Sequence, residues 1–195
     1  MLKCRMLCDH SEQKTQKGNE KMLEIKVSEL RALAPSLHAG DRILLSGKVY
    51  TARDAAHARI TKSLENGEAL PFDLKDAVIY YAGPTPEKNG LAIGSCGPTT
   101  SSRMDVYTPK LLNLGLLAMI GKGTRSREVT EAQVRNGALY LCAVGGAGAI
   151  AATHIKSSKV IAYADLGCEA VRLLEFDKFP LFVGTDIYGK SIYSI

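Results

Sequence analysis

No apolar run in this sequence is long enough to cross a membrane as a helix. Runs such as residues 114–121 and 144–152 stop well short of the about 18 to 20 residues such a span requires. A strong charge of one sign is also missing. Lys and Arg number 25 against 20 Asp and Glu, and residues 1–31 hold seven of the bases and five of the acids. The excess of +5 is therefore spread thinly, no basic face is implied, and neither nucleic acid nor membrane is expected as a partner. Cysteine is sparse and odd in number: Cys4, Cys8, Cys96, Cys142 and Cys168. With no secretory signal before them, they point to a reducing, cytoplasmic setting. Cys4, Cys8 and His10 look like half a metal site, but the second ligand pair that structural zinc needs does not follow. Residues 1–21 are therefore expected to be a polar, flexible leader, and no metal ligands are expected in the chain. Cys96, Cys142 and Cys168 sit among small or apolar neighbours and are expected to be buried. Gly121-Lys122-Gly123-Thr124 lacks the Gly-x-x-x-x-Gly-Lys-Ser/Thr spacing of a phosphate-binding loop, so nucleotide binding is not expected.

What is present describes a folded domain. Hydrophobic residues make up 46% of the chain and charged residues 23%. From residue 22 to 195 there are no repeats, no low-complexity tract and no linker, so a single domain is expected. Strand-like and helix-like segments alternate. Strands are expected at 23–27, 42–51, 77–82, 91–96, 116–120, 139–144, 160–164, 171–176 and 181–186. Helices are expected at 28–34 with Ser28 as cap, 54–64, about 104–114, 128–136 closed by Gly137, and from Gly145-Gly146 to His154. The class is α/β.

Three segments share one design, a hydrophobic strand entering a loop of Gly, Thr, Ser and cations that opens a helix. They are Tyr50-Thr51-Ala52-Arg53-Asp54, Gly97-Pro98-Thr99-Thr100-Ser101-Ser102-Arg103, and Gly121-Lys122-Gly123-Thr124-Arg125-Ser126. Such junctions present backbone N–H groups to anions, and α/β sheets collect ligands beyond their strand ends. Arg53, Arg103, Lys122 and Arg125 are the candidate cations; Thr99, Thr100 and Thr124 are the candidate hydroxyls. Taken singly, each loop could be no more than a helix cap or a solvated charge. His57 and His154 read as packed residues rather than bases.

In order and approximate spacing these loops, with Arg53-Asp54-Ala55-Ala56-His57, Met104-Asp105, Gly145-Gly146 and Leu166-Gly167-Cys168-Glu169, resemble the β subunit or C-terminal domain of the iron–sulfur hydro-lyases. Those are the class I fumarate hydratases and the L-tartrate dehydratases. The resemblance runs over residues 22–195. It implies a swivelling β/β/α-type domain with a mixed sheet and helices. It also implies half an enzyme: a [4Fe–4S] cluster held by a cluster-bearing α subunit and not ligated by this chain, a small dicarboxylate substrate, and a hetero-oligomer. By the same resemblance Thr99 is the proposed base, and Arg53, Thr100, Arg103 and Lys122 bind substrate. Two carboxylates call for fixed cations, which the arginines and the lysine supply. The Lys122–Ser126 loop is more like that of the fumarate hydratases than the Gly-rich loop of the tartrate enzymes. A fumarate hydratase β subunit is the first reading. A tartrate dehydratase β subunit, a relative acting on methylated dicarboxylates and a non-catalytic carboxylate-binding module are the alternatives.

Overall fold

The computed structural model describes residues 22–88 and 90–193. The expected leader at 1–21, with Cys4, Cys8 and His10, lies outside the described residues. Seven strands form one mixed sheet: β1 (Leu23–Lys26), β2 (Arg42–Thr51), β3 (Val78–Tyr80), β4 (Ala118–Gly121), β5 (Leu139–Cys142), β6 (Ile155–Ala162) and β7 (Val171–Thr185). Strands β2, β3, β4 and β5 run parallel in that order, and β7 pairs antiparallel with both β5 and β2. The sheet thus closes on itself as a five-stranded barrel, with β1 added to β2 and β6 to β7. This is the α/β class with a mixed sheet expected from the sequence. No helix among the described residues is long and apolar enough to cross a membrane.

Side chains alternate across a strand, so each barrel strand feeds two cores. Val78, Tyr80, Ala118, Ile120, Leu139, Leu141, Leu174, Phe176, Phe179 and Leu181 belong to one cluster and fill the interior. Ile79, Tyr81, Met119 and Tyr140 belong to the other. That outer layer is covered by α2 (Asp54–Glu65), α3 (Thr108–Asn113) and α4 (Arg127–Asn136). Helix α4 starts where Ser126 Oγ accepts the Val129 N–H at 3.3 Å and ends at Gly137, whose φ of 59° is the left-handed cap. Two short helices complete the fold, α1 (Leu30–Leu33) and α5 (Gly148–Thr153).

Four sequence expectations change. The segments at 171–176 and 181–186 are one strand. Its buried positions shift phase between Phe176 and Phe179, because a bulge with Lys178 at φ 49° adds residues opposite Leu45–Gly47. Pro180 is tolerated inside β7 because it falls between the stretch paired with β6 and the stretch paired with β5. Residues 91–96 are not a strand. They fold back on Thr85, whose carbonyl accepts the Gly94 N–H at 3.1 Å, and Ile93 and Cys96 join the barrel-interior cluster. Strand β6 begins at Ile155 rather than 160; it pairs only with β7, so its Lys- and Ser-rich start is the composition of an edge. Ser28 does not cap the first helical turn; the Glu29 carboxylate accepts the Lys26 N–H at 3.1 Å instead.

Candidate active site

Because β2 to β5 run parallel, the loops that leave them emerge at one rim of the barrel. Arg53 follows β2, Gly83 follows β3, Lys122 follows β4 and Gly145 follows β5. The Thr99–Arg103 loop is drawn into the same rim. The Thr99 N–H donates to Tyr81 O at 2.7 Å, the Lys122 N–H to Thr99 O at 3.3 Å, and the Ser101 N–H to Lys122 O at 2.9 Å. Thr99 and Thr100 are thereby inserted between the extensions of β3 and β4. Thr99 is half-buried, Thr100 and Lys122 are exposed. The Lys122 side chain runs beside Gly145, where an added Cβ would meet its Cδ at 3.4 Å. It has no ion partner among the described residues.

The two arginines are held by carboxylates. Arg103 Nε donates to Asp54 Oδ1 at 2.9 Å, and its Nη2 lies 2.9 Å from Oδ2. Arg53 is 19% exposed; its Nη2 is 3.5 Å from Glu169 Oε1 and its Nε 4.0 Å from Asp54 Oδ2. Glu169 also accepts the Ala55 N–H at 2.9 Å, so one carboxylate closes the start of α2 and steadies Arg53. The absent side chain of Gly83 leaves room for that guanidinium, since a Cβ there would come within 2.6 Å of Arg53 Nη1. Arg53, Arg103, Thr99, Thr100 and Lys122 therefore share one rim, with Arg53 and Arg103 linked through Asp54.

Arg125 does not belong with them. Its side chain is 1% exposed, Nε lies 2.7 Å from Asp105 Oδ1, Nη2 donates to Thr108 Oγ1 at 2.9 Å, and it packs over the rings of Tyr81 and Tyr140. It is a buried tie between the lysine loop and α3. His57 is packed as its helical position suggests. Its Nδ1–H donates to Arg53 O at 2.9 Å, its Nε2 is buried without a partner, and burial lowers its pKa to about 4. Burial of Cys96 and Cys142 agrees with expectation, and burial pushes the Cys96 thiol up to about 12. Cys168 is a correction. It is exposed, because the 3-10 segment Ala164–Glu169 lies on the surface and delivers Glu169 to α2. Asp54, Glu169, Ser101 and Tyr140 carry the site's geometry and were given no role in the sequence reading. The first three stand inside the sequence motifs; a tyrosine within an apolar strand carries no local signal.

The family model described as "Fumarase C-terminus" matches residues 3–195. The chain belongs to that family. The match begins nearer the N-terminus than the residue 22 expected for the resemblance. The chain is 40% identical over 174 residues to fumarate hydratase 2 of Leishmania major, covering 88% of this chain and 31% of that protein. It is 39% identical over 169 residues to the aerobic class I fumarate hydratase of Escherichia coli K12, covering 86% and 31%. It is 41% identical over 163 residues to a putative L(+)-tartrate dehydratase subunit beta of Methanocaldococcus jannaschii, covering 80% and 84%. The chain thus spans about a third of the fumarate hydratases it matches, 31% of each, and most of the tartrate dehydratase subunit. These relatives are hydro-lyases by name.

Proposed function

We propose that this chain is the β-subunit-type half of a [4Fe–4S]-dependent fumarate hydratase that interconverts fumarate and L-malate in the cytoplasm. In this reading it is active only with a cluster-bearing α subunit. The observation that carries the proposal is the gathering of Arg53, Thr99, Thr100, Arg103 and Lys122 at the carboxyl ends of four parallel strands. Arg53, Arg103 and Lys122 meet the two carboxylates of the substrate. Removing a proton from the carbon beside a carboxylate builds negative charge on that carboxylate, and fixed cations at the rim stabilise it. Thr99 receives that proton. A threonine hydroxyl is a weak base unaided, and no side chain among the described residues hydrogen-bonds to this one, so its activation falls to a carboxylate of the partner.

The described residues of this chain do not fit a cluster's ligand set. Cys96 and Cys142 are buried, Cys168 is exposed, and no three His, Cys, Asp or Glu side chains converge among the described residues. In the proposed reading the cluster belongs to the partner. Val144 and Ile150, 56% and 63% exposed on either side of the turn beside Lys122, support a covering chain at this rim.

Co-purification with the genomic neighbour under anaerobic conditions, followed by assay with fumarate, L-malate and tartrate, tests the reading. Activity with fumarate and L-malate by the pair, and none by the chain alone, is expected. Turnover of tartrate instead would establish the second reading, which the 41% identity to a β subunit of similar length favours. A stoichiometric cluster on the isolated chain, ligated by Cys96, Cys142 or Cys168, would overturn both. Binding of a dicarboxylate with no activity from any pairing would leave the non-catalytic module.

A further inference from the structure

The loop that bears Thr99 and the loop that bears Lys122 meet at one buried hydroxyl. Tyr140, in the middle of β5, is fully buried, and its O–H donates to Gly123 O at 2.8 Å. Its oxygen also stands 2.9 Å from Ser101 Oγ; since the phenol's single proton is given to the carbonyl, the serine hydroxyl donates to it. Ser101 lies two residues after Thr99, and Gly123 directly follows Lys122. One oxygen from a third strand therefore spans the two loops, beside the backbone bonds that join Ser101 and Lys122.

Everything around this oxygen fixes it. Arg125 lies over the Tyr140 ring, its guanidinium carbon 5.1 Å from the centroid. On the ring's edge Gly184 leaves just enough room, since a Cβ there would come within 3.0 Å of Tyr140 Cδ1. Ser101 Oγ fills the space that a side chain on Gly121 would need. Burial drives the phenol's pKa upward, so it stays a hydrogen-bond donor across the working range of pH.

Resting on the reading of the site given above, we propose that Tyr140 is a positioning residue, a strut whose hydroxyl sets the distance between Thr99 and the Lys122 charge. A bond of this kind to two loops restrains both at once, and small displacements of catalytic groups cost far more in rate than in stability. A tyrosine that merely filled the outer core would hold its place through the ring, and loss of the oxygen would not reach the loops.

Tyr140→Phe removes only that oxygen. In the isolated full chain, amide hydrogen exchange at Ser101 and Lys122 is expected to quicken about five- to tenfold, while Tyr81, bonded to Ile120 O below the strut, keeps its rate. In the enzyme reconstituted with its partner, kcat for L-malate should fall about tenfold or more and KM should change less than threefold. Ser101→Ala breaks one of the two arms and should act in the same direction with smaller size. The double variant should be no worse than Tyr140→Phe. If Tyr140→Phe does not fold, Ser101→Ala decides the question alone. Unchanged exchange at Ser101 and Lys122, acceleration spread evenly over the sheet, or a kcat within twofold of the parent would overturn the strut. Absence of hydratase activity in the unmutated pair would instead defeat the proposed reaction, and the exchange result would then decide the strut by itself.

Discussion

Arg103 gives the Nε–Nη2 edge of its guanidinium to Asp54, with Nε 2.9 Å from Oδ1 and Nη2 2.9 Å from Oδ2. A guanidinium has two such edges, which leaves Nη1–Nη2 clear of Asp54; in the proposed reading a substrate carboxylate takes that edge while Asp54 aims the fork from behind. The same carboxylate stands 4.0 Å from Arg53 Nε. Asp54 therefore aims Arg103 and lies beside Arg53, whose Nη2 is nearer to Glu169 Oε1, at 3.5 Å.

This arrangement makes Arg103→Lys a test of geometry rather than charge. A lysine keeps the cation but cannot hold Asp54 and a substrate carboxylate with two separate edges. In the reconstituted enzyme kcat/KM is expected to fall about 10- to 100-fold. Stability should change by less than about 0.5 kcal/mol, because the side chain is 52% exposed and such pairs contribute little. Kinetics and urea unfolding of the same preparation check both halves; a variant within twofold of the parent in kcat/KM would reduce Arg103 to a nonspecific charge.

Thr99→Ala removes the assigned proton acceptor and nothing that holds the backbone, since the loop is fixed by the Thr99 amide and carbonyl. The loss should fall on kcat, by about 10²- to 10⁴-fold, with substrate affinity largely kept. Single-turnover kinetics on the reconstituted enzyme distinguish the two. Near-normal kcat would remove Thr99 from the chemistry.

Much of this molecule was legible in its sequence, and the parts that were not have a common cause. Strand β2 and helices α2 and α4 are read correctly because their period, caps and terminating glycines are local. The joining of two apparent strands into β7 is not local: the phase shift at Asp177–Lys178 reads as an ending unless Ser46, whose Oγ accepts the Lys178 N–H at 2.9 Å, is known to lie opposite. Likewise Ile93 reads as strand because it is apolar, whereas it belongs to the barrel interior. At the rim the cations are visible in the motifs. Which of them face outward is not, since the burial of Arg125 depends on Asp105 and Thr108 lying behind it.

Gly121 illustrates a residue whose requirement comes from across the sheet. Its backbone is ordinary, but a Cβ would collide with Ser101 Oγ and approach the Tyr81 ring to 3.0 Å. Gly121→Ala should cost about 1 to 3 kcal/mol, the usual range for overpacking. Ser101→Ala added to it should recover part of that loss, because the colliding oxygen is gone. Urea midpoints of the two single variants and the double variant measure the coupling; strictly additive losses would mean that the clash is relieved elsewhere.

The pH dependence of stability should carry the mark of His57. Burial is the main cause of its lowered pKa, about 4 against 6.5 in an ordinary histidine, with the Arg125 charge adding to it and the bond to Arg53 O and the Asp54 charge opposing. Between those two values the unfolded chain binds a proton that the folded chain refuses. Stability is therefore fully present above about pH 6.5 and declines as pH falls toward 4, by up to roughly 3 kcal/mol from this residue. His57→Asn keeps a donor for Arg53 O and removes the titration. It should start less stable at pH 7 because it packs less surface against Tyr81 and Tyr107, yet lose less than the parent on acidification. Urea unfolding of both proteins from pH 7 to 4.5 compares the slopes. Parallel slopes would show that His57 takes up its proton in the folded state, and the neutral ring packed behind Arg53 would then be wrong.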